Sequence, residues 1–509
     1  MGKAATILRN VTSNWIGFAV NAAVTLALTP FVLHHLGTAR YGIWVLSASI
    51  IGYYGLLDLG LRGGVTQYLT RYLAAGDDIK ASECMSSAVA ALATLGVVLV
   101  ALSIGAAYLA PRVFNLSSAM EQEAFWCVLI VGFSSAIQFS LQPFTSVFTA
   151  LQRFDLANVI GVATRLLTAG GIVVALNLGY GLIGVAAATC VTSVIDYLIR
   201  WQIARRLAPQ LEVSWRRASL HRLREIASFG AWNFLISING YVYQHVPNLL
   251  IASLMPIAAV GYYALATGLS RQVNAVLSPV GQVVYPAAAS LDVQGDRRGL
   301  ERLYHDGSRL IMLVMIPVVL IAMFWAEDFY RLWIGEKYVS GTPFQPVPLL
   351  FQILLLSTIT NFSSIASHIL SGAGRVRMVA TALLCGSILN FAVSLSLISS
   401  YGLIGVAIAT VFASIVVDLI AMPLLVQKAL GLRVREYLRS ACLRPVLAGV
   451  AQIILVASIR LTGAPSDWLH LILQGAVAGV ALLAVTVSIG ITAAERQRFL
   501  VQPLRRLHV

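Results

Sequence analysis

The heptapeptide Tyr-Gly-Leu-Ile-Gly-Val-Ala occurs twice in this chain, at residues 180–186 and again at 401–407. Both copies continue in parallel: Ala188, Thr189, Ser193, Leu198 and Ile199 recur as Ala409, Thr410, Ser414, Leu419 and Ile420. Upstream, Val-Ala-Thr-Arg-Leu-Leu at 162–167 returns as Val-Ala-Thr-Ala-Leu-Leu at 379–384, and Asn14 followed by Trp15 returns as Asn233 followed by Phe234. The offset stays near 220 residues throughout, so the first 430 or so residues are one unit duplicated. In a membrane protein, such a duplication points to a binding site between two halves.

Composition places the chain in a membrane. Apolar residues make up 58% of 509 and charged residues 11%, where a soluble domain carries roughly a quarter charged residues. The charges are clustered, and between the clusters lie apolar runs long enough to cross a bilayer, which takes about 20 helical residues. Fourteen such runs are counted, the first centred near residue 24 and the last near 480. Alternating barrel strands are absent, so the expectation is an all-α polytopic protein whose helices satisfy their own backbone groups.

A net charge of +14 raises the question of nucleic acid. Its placement answers it. With the N-terminus in the cytoplasm, the internal connections hold 28 of the 35 Lys and Arg, seven of them arginines between Arg200 and Arg224. Arg40, Arg112, Arg331, Lys337 and Arg460 fall outside, and Arg165 and Arg271 fall within spans. This is the positive-inside pattern, and it predicts cytoplasmic termini. No basic stripe interleaved with aromatics serves a nucleic acid.

The first span begins almost at once and is expected to act as its own insertion signal. The start Met-Gly-Lys-Ala-Ala-Thr fits a myristoylation pattern, which is read as chance. The five cysteines form no CxxC pair, so neither a zinc site nor a disulfide framework is expected. Asn115-Leu-Ser is a glycosylation sequon in an external loop, meaningful only in a eukaryotic secretory pathway. No phosphate-binding loop for nucleotide hydrolysis is present, and no cofactor, metal or catalytic site is expected.

The repeat divides the chain into an N-terminal six-helix bundle (1–206), a linker (207–226), a second six-helix bundle (227–427) and two further spans with a tail (428–509). Six crossings per half leave both copies in one orientation, so their pseudo-two-fold axis should follow the membrane normal.

Span 7 is the most polar. Asn233, Ser237, Tyr241, Gln244 and Asn248 follow helical spacing on one face, with His245 beside them. Asn14, Asn21 and Thr25 mark a similar face on span 1. Polar residues of this kind also hydrogen-bond helices together; a stripe the length of a span favours a water-filled cavity. Arg165 and Arg271 are more costly, at about 2.5–3.5 kcal/mol each near mid-bilayer even on the mildest scale. Arg165 stands where the second half has Ala382, and neither arginine has a carboxylate within two helical turns. The alternatives are a structural arginine with a distant partner or a cation for phosphate, which guanidinium binds in bidentate fashion.

The acids read differently. Asp58 with Arg62 and Asp196 with Arg200 look like interfacial pairs of small worth, and Asp418 is a weaker candidate for proton coupling. Among the histidines, His34 and His35 close span 1 and His368 lies in a span; a satisfied histidine is the default for His245. Pro30, Pro143, Pro247 and Pro279 permit kinks in spans 1, 4, 7 and 8.

Three further motifs carry a resemblance. Tyr41-Gly-Ile-Trp44, Gly55-Leu-Leu-Asp58-Leu-Gly-Leu61 and Leu332-Trp-Ile-Gly-Glu-Lys-Tyr338 resemble the Wzx-type polysaccharide transporters, in the superfamily that holds the lipid II flippases and the multidrug and toxic compound extrusion (MATE) carriers. The resemblance runs the length of the chain and implies a MATE-like fold with a cavity lined by spans 1, 2, 7 and 8. It implies flipping of an undecaprenyl-pyrophosphate-linked oligosaccharide across the bacterial inner membrane, with no enzyme activity. The partners implied are that lipid-linked oligosaccharide, membrane lipids, and glycan polymerase and export machinery. A MATE-like cation antiporter, a lipid II flippase and a scaffold for a polymerase complex are the competing readings. The first is disfavoured because spans 1, 7 and 8 contain no mid-depth carboxylate.

Overall fold

A computed structural model describes residues 3–490, apart from 59, 115, 276, 277, 342 and 462. The Asn115 sequon and the tail beyond residue 490 therefore lie outside the described residues. Helix is the only regular structure among the described residues. Ten helical stretches are long and apolar enough to cross a membrane, and two of them are double length. Asn14–Asp58 runs 45 residues and Val376–Leu430 runs 55. At 1.5 Å per residue these reach about 67 and 82 Å, more than twice a hydrocarbon core of about 30 Å. Each is broken once by a glycine in a conformation closed to other residues: Gly37 at φ 72° and Gly402 at φ 57°.

Two breaks turn ten stretches into twelve spans. The helix Leu220–Leu254 supplies span 7, and Ile257–Ala275 followed by Ser278–Val293 supplies span 8. The described helices thus accommodate fourteen crossings. Leu102, Leu109, Val174, Ile454 and Val480 are among many large apolar side chains left exposed. In water this would be an aggregating surface; on spanning helices it is the face that meets lipid.

The repeat is visible in local conformation. Gly181, second residue of the first heptapeptide, has φ 54°, matching Gly402 in the second copy. Span 4 is interrupted by a 3-10 turn at Gln142–Phe144 and span 10 by one at Asn361–Ser363, 219 residues on. Pro143 accounts for the first break; the second has no proline.

By packing, the chain divides into two compact units, Met1–Ala264 and Leu265–Val509. The packing boundary falls beyond the linker of the sequence repeat, because span 7 and the start of span 8 pack with the first unit. In that unit one core cluster joins Leu69, Met85, Phe148, Ala204 and Ile226. A second joins Val32, Ile43, Cys127 and Leu182 at the Gly37 end. In the second unit Trp325, Val456, Ala478 and Leu482 bind spans 13 and 14 to the end of span 9. The Trp325 indole donates to Gln474 at 2.9 Å there. Span 14 has only 17% of its apolar window buried against 56% for span 10, so it lies at the edge of its unit.

The linker after span 6 is stitched to span 3. Ser82 accepts from the Glu212 amide at 3.1 Å and donates to the Gln210 carbonyl. Ser86 repeats the pattern with the Ser214 amide and the Glu212 carbonyl, and Ser87 accepts from the Ser219 amide at 2.9 Å. Four helical residues rise about 6 Å and two extended residues about 6.6 Å, so serines spaced by four match alternate residues of an extended strand. Arg222 closes the strap with hydrogen bonds to Glu83 and Glu225.

Candidate functional site

In the first unit, spans 1 and 5 pack along their length and collect a polar seam. Asn158 donates to the Asn14 side chain at 2.6 Å. Two turns along span 5, the Arg165 guanidinium donates from Nη2 to Thr25 at 3.0 Å. Its Nε is buried and has no hydrogen-bond partner among the described residues, and no carboxylate pairs with it there. Arginine carries five donors, of which Thr25 takes one. Asn21 is exposed one turn from Thr25. Asn158 was not anticipated; it lies one turn after Phe154, where periodicity alone does not separate it from a helix start.

The span 7 stripe divides between two environments. Asn248 is buried and donates to Ser49 at 2.9 Å. A Cβ added to Gly52 would collide with the His245 ring, and one on Gly55 would collide with Tyr241. These three side chains therefore fill the seam with span 2, where glycine leaves room for them. The Tyr241 and His245 rings stack at 6.3 Å. Ser237 and Gln244 are exposed. The side chain of Asn233 lies outside the described residues.

Arg271 is exposed on the second unit's portion of span 8. One turn on, Asn274 donates to Thr358 at 2.8 Å and accepts from Asn361 at 2.9 Å, tying span 8 to the broken part of span 10. Beside that break, Thr360 donates to Asp418 at 3.2 Å. Asp418 sits in a widened, π-helical turn at Ile415–Ala421, and no basic side chain pairs with it among the described residues.

The other two acids differ from the sequence expectation. Asp58 accepts from the Arg62 backbone amide at 3.2 Å, which makes it a helix-end contact in place of an ion pair. Asp196 and Arg200 do pair, at 2.8 Å, but both are about 15% exposed. Thr164 also donates to Asp196, so the pair forms a buried junction of spans 5 and 6.

The Tyr-Gly-Ile-Trp motif earns a structural role at Gly42. A Cβ there would strike the carbonyl oxygen of Ile257, and a Cβ on Gly261 would stand 2.7 Å from the carbonyl oxygen of Thr38. Residues 38 and 257, like 42 and 261, differ by 219, the repeat offset. Each copy of this glycine packs on the partner copy's backbone, a reciprocal contact such as a two-fold relation produces.

Comparison with known proteins gives the same architecture. The chain is similar to the uncharacterized membrane protein EpsK of Bacillus subtilis, at 21% identity over 96% of each chain. It is also similar to the putative O-antigen transporter of Shigella flexneri, at 19% identity over 79% of this chain and 94% of that one. Its fold matches the lipid II flippase MurJ in an inward closed conformation, with TM-score 0.70, 14% identity, and coverage of 96% of this chain and 100% of the other. It also matches an inward-facing MATE family transporter, with TM-score 0.64, 16% identity, and coverage of 81% and 98%. The MATE-like fold expected from the motifs is therefore the observed one. A profile described as polysaccharide biosynthesis protein matches residues 36–343, three fifths of the chain. This multi-pass, all-helical membrane protein belongs to the polysaccharide biosynthesis protein family, as its Wzx-type motifs led us to expect.

Proposed function

We propose that the chain is a flippase that carries an undecaprenyl-pyrophosphate-linked oligosaccharide from the cytoplasmic to the periplasmic leaflet of a bacterial inner membrane. The single observation that carries this reading is Arg165, a mid-membrane guanidinium held by one threonine and lacking a carboxylate partner among the described residues. A diphosphate supplies the missing acceptors in the bidentate geometry that guanidinium prefers. Family membership and a relative named for O-antigen transport support the substrate class. Arg165, Asn14 and Asn21 would receive the head group, with Ser237 and Gln244 as further contacts in the same unit; Arg271 is a separate substrate-binding candidate in the second unit. Transport would proceed by alternating access.

Energetics allow this without a coupling ion. A diphosphate with about two negative charges moves outward down a negative-inside potential and gains roughly 2.3 kcal/mol per charge per 100 mV. With basic loops inside, both described chain ends lie in the cytoplasm. A cation antiporter would require a carboxylate in spans 1, 7 or 8, and none stands there at mid-depth.

The test is export of surface polysaccharide in a flippase-deleted strain complemented with variants at matched membrane levels. Arg165→Ala and Arg165→Gln are expected to abolish export while the protein remains inserted. Arg165→Lys keeps the charge but loses the fork, and should recover part of it. Wild-type export from Arg165→Ala would remove the pyrophosphate cradle.

A further inference from the structure

One face of span 9 changes character along its length. Arg298, Arg302, His305 and Arg309 follow one another at helical spacing, and Leu313, Pro317 and Ile321 continue the same line. The basic part opens into a depression of about 610 Å³ that also includes Ser440 from the start of span 13, and Ser440 hydrogen-bonds His305 at 3.1 Å. The apolar part is one wall of a groove of about 520 Å³ whose other wall is span 14, at Gly479 and Leu483. Asp306 and Arg309 line both, so head pocket and groove are continuous.

The groove opens to the bilayer. Leu310, Val314 and Leu483 are 59%, 45% and 60% exposed. From Arg309 to Ile321 it covers twelve residues, about 18 Å of helix, close to one leaflet of a hydrocarbon core about 30 Å thick. The basic end lies on the side where the sequence concentrates its Lys and Arg. Three arginines and the carboxylates of Glu301 and Asp306 line the head pocket, leaving one net positive charge.

We propose that this pocket and groove bind one resident anionic phospholipid of the basic-side leaflet, its phosphodiester among the arginines and an acyl chain along spans 9 and 14. A single net positive charge matches a monoanionic phosphodiester; a pyrophosphate-linked substrate would meet the two carboxylates with at least two negative charges. The site is separate from the Arg165 seam, which belongs to the other compact unit. A lipid here would brace span 14, which is less buried than spans 9 to 13.

The test compares lipid retention by the purified full-length protein in detergent, read by native mass spectrometry and thermal unfolding. Phosphatidylglycerol, phosphatidylcholine and undecaprenyl phosphate are the probes. Phosphatidylglycerol should be retained in preference to phosphatidylcholine and should raise the unfolding temperature. Each of Arg298→Gln, Arg302→Gln and Arg309→Gln should weaken that preference about fivefold, following the worth of one interfacial basic residue. A plug in the groove, Leu483→Trp, should lower retention while leaving the three arginines intact. Equal retention of the two phospholipids, or an unchanged preference in the triple Gln variant, would overturn the proposal. So would displacement of phosphatidylglycerol by equimolar undecaprenyl phosphate.

Discussion

At the scale of single residues, polarity in a span has two meanings, and the structure separates them. Asn248 and Gln244 stand four residues apart on one sequence stripe, yet the first is buried against Ser49 and the second is exposed. Asn248→Ala removes the buried amide that donates to Ser49, which keeps only its bond to the Val45 carbonyl, and should cost about 1 kcal/mol. Gln244→Ala should stay within about 0.5 kcal/mol. Thermal unfolding in detergent checks both, and equal costs would show that the seam is not where the stripe is anchored. The periodicity of span 7 was legible in the sequence, but periodicity names a face and not its neighbour. The neighbour is set by Gly52 and Gly55 on span 2, whose lack of a side chain admits His245 and Tyr241. Arg165 stands out in the sequence for a different reason. Burying a guanidinium is costly enough that its presence alone demands an explanation.

Between elements, contacts turn on close backbone approach and on short straps. Gly42→Ala and Gly261→Ala each drive a methyl group into a backbone carbonyl of the repeat-related partner. Overpacking of this kind costs about 1–3 kcal/mol. Because both substitutions open the same contact, the double variant should lose less than the sum of the two. Additivity within about 0.5 kcal/mol in unfolding measurements would contradict a shared contact. This glycine pair was within reach of the sequence, since both positions obey the 219-residue offset, but the heptapeptides dominate that comparison. The linker strap was out of reach: serines at 82 and 86 look like ordinary helix residues until an extended strand lies beside them.

Glu225 makes the strap pH-sensitive. Burial pushes its carboxyl up, but hydrogen bonds from Arg222 and Tyr72 outweigh that and hold it below its ordinary value of 4.5. A depressed carboxylate contributes stability above its unfolded value and loses it as pH falls through the folded one. The strap should therefore loosen below about pH 4.5. Protection of the amides of residues 208–219, corrected for the intrinsic pH dependence of exchange, should fall there in the wild type; in Glu225→Gln it should start lower and fall less, with only Glu83 and Glu212 left to titrate in the strap. Identical pH profiles for the two proteins would assign the acid response elsewhere.

For the whole molecule, fourteen crossings and the duplication were legible because hydropathy and self-similarity are additive over long stretches and tolerate local surprises. Which spans pack together was not: the first compact unit takes in span 7, on the far side of the linker from the rest of its members. The proposed function is movement of a lipid-linked oligosaccharide between leaflets. The most direct measurement is a flipping assay on the purified protein in vesicles loaded with fluorescent undecaprenyl-pyrophosphate oligosaccharide, with an imposed potential. Movement well above protein-free vesicles is expected, faster when the face carrying the basic loops is negative, and abolished by Arg165→Ala. Movement no faster than in empty vesicles at any potential would contradict it.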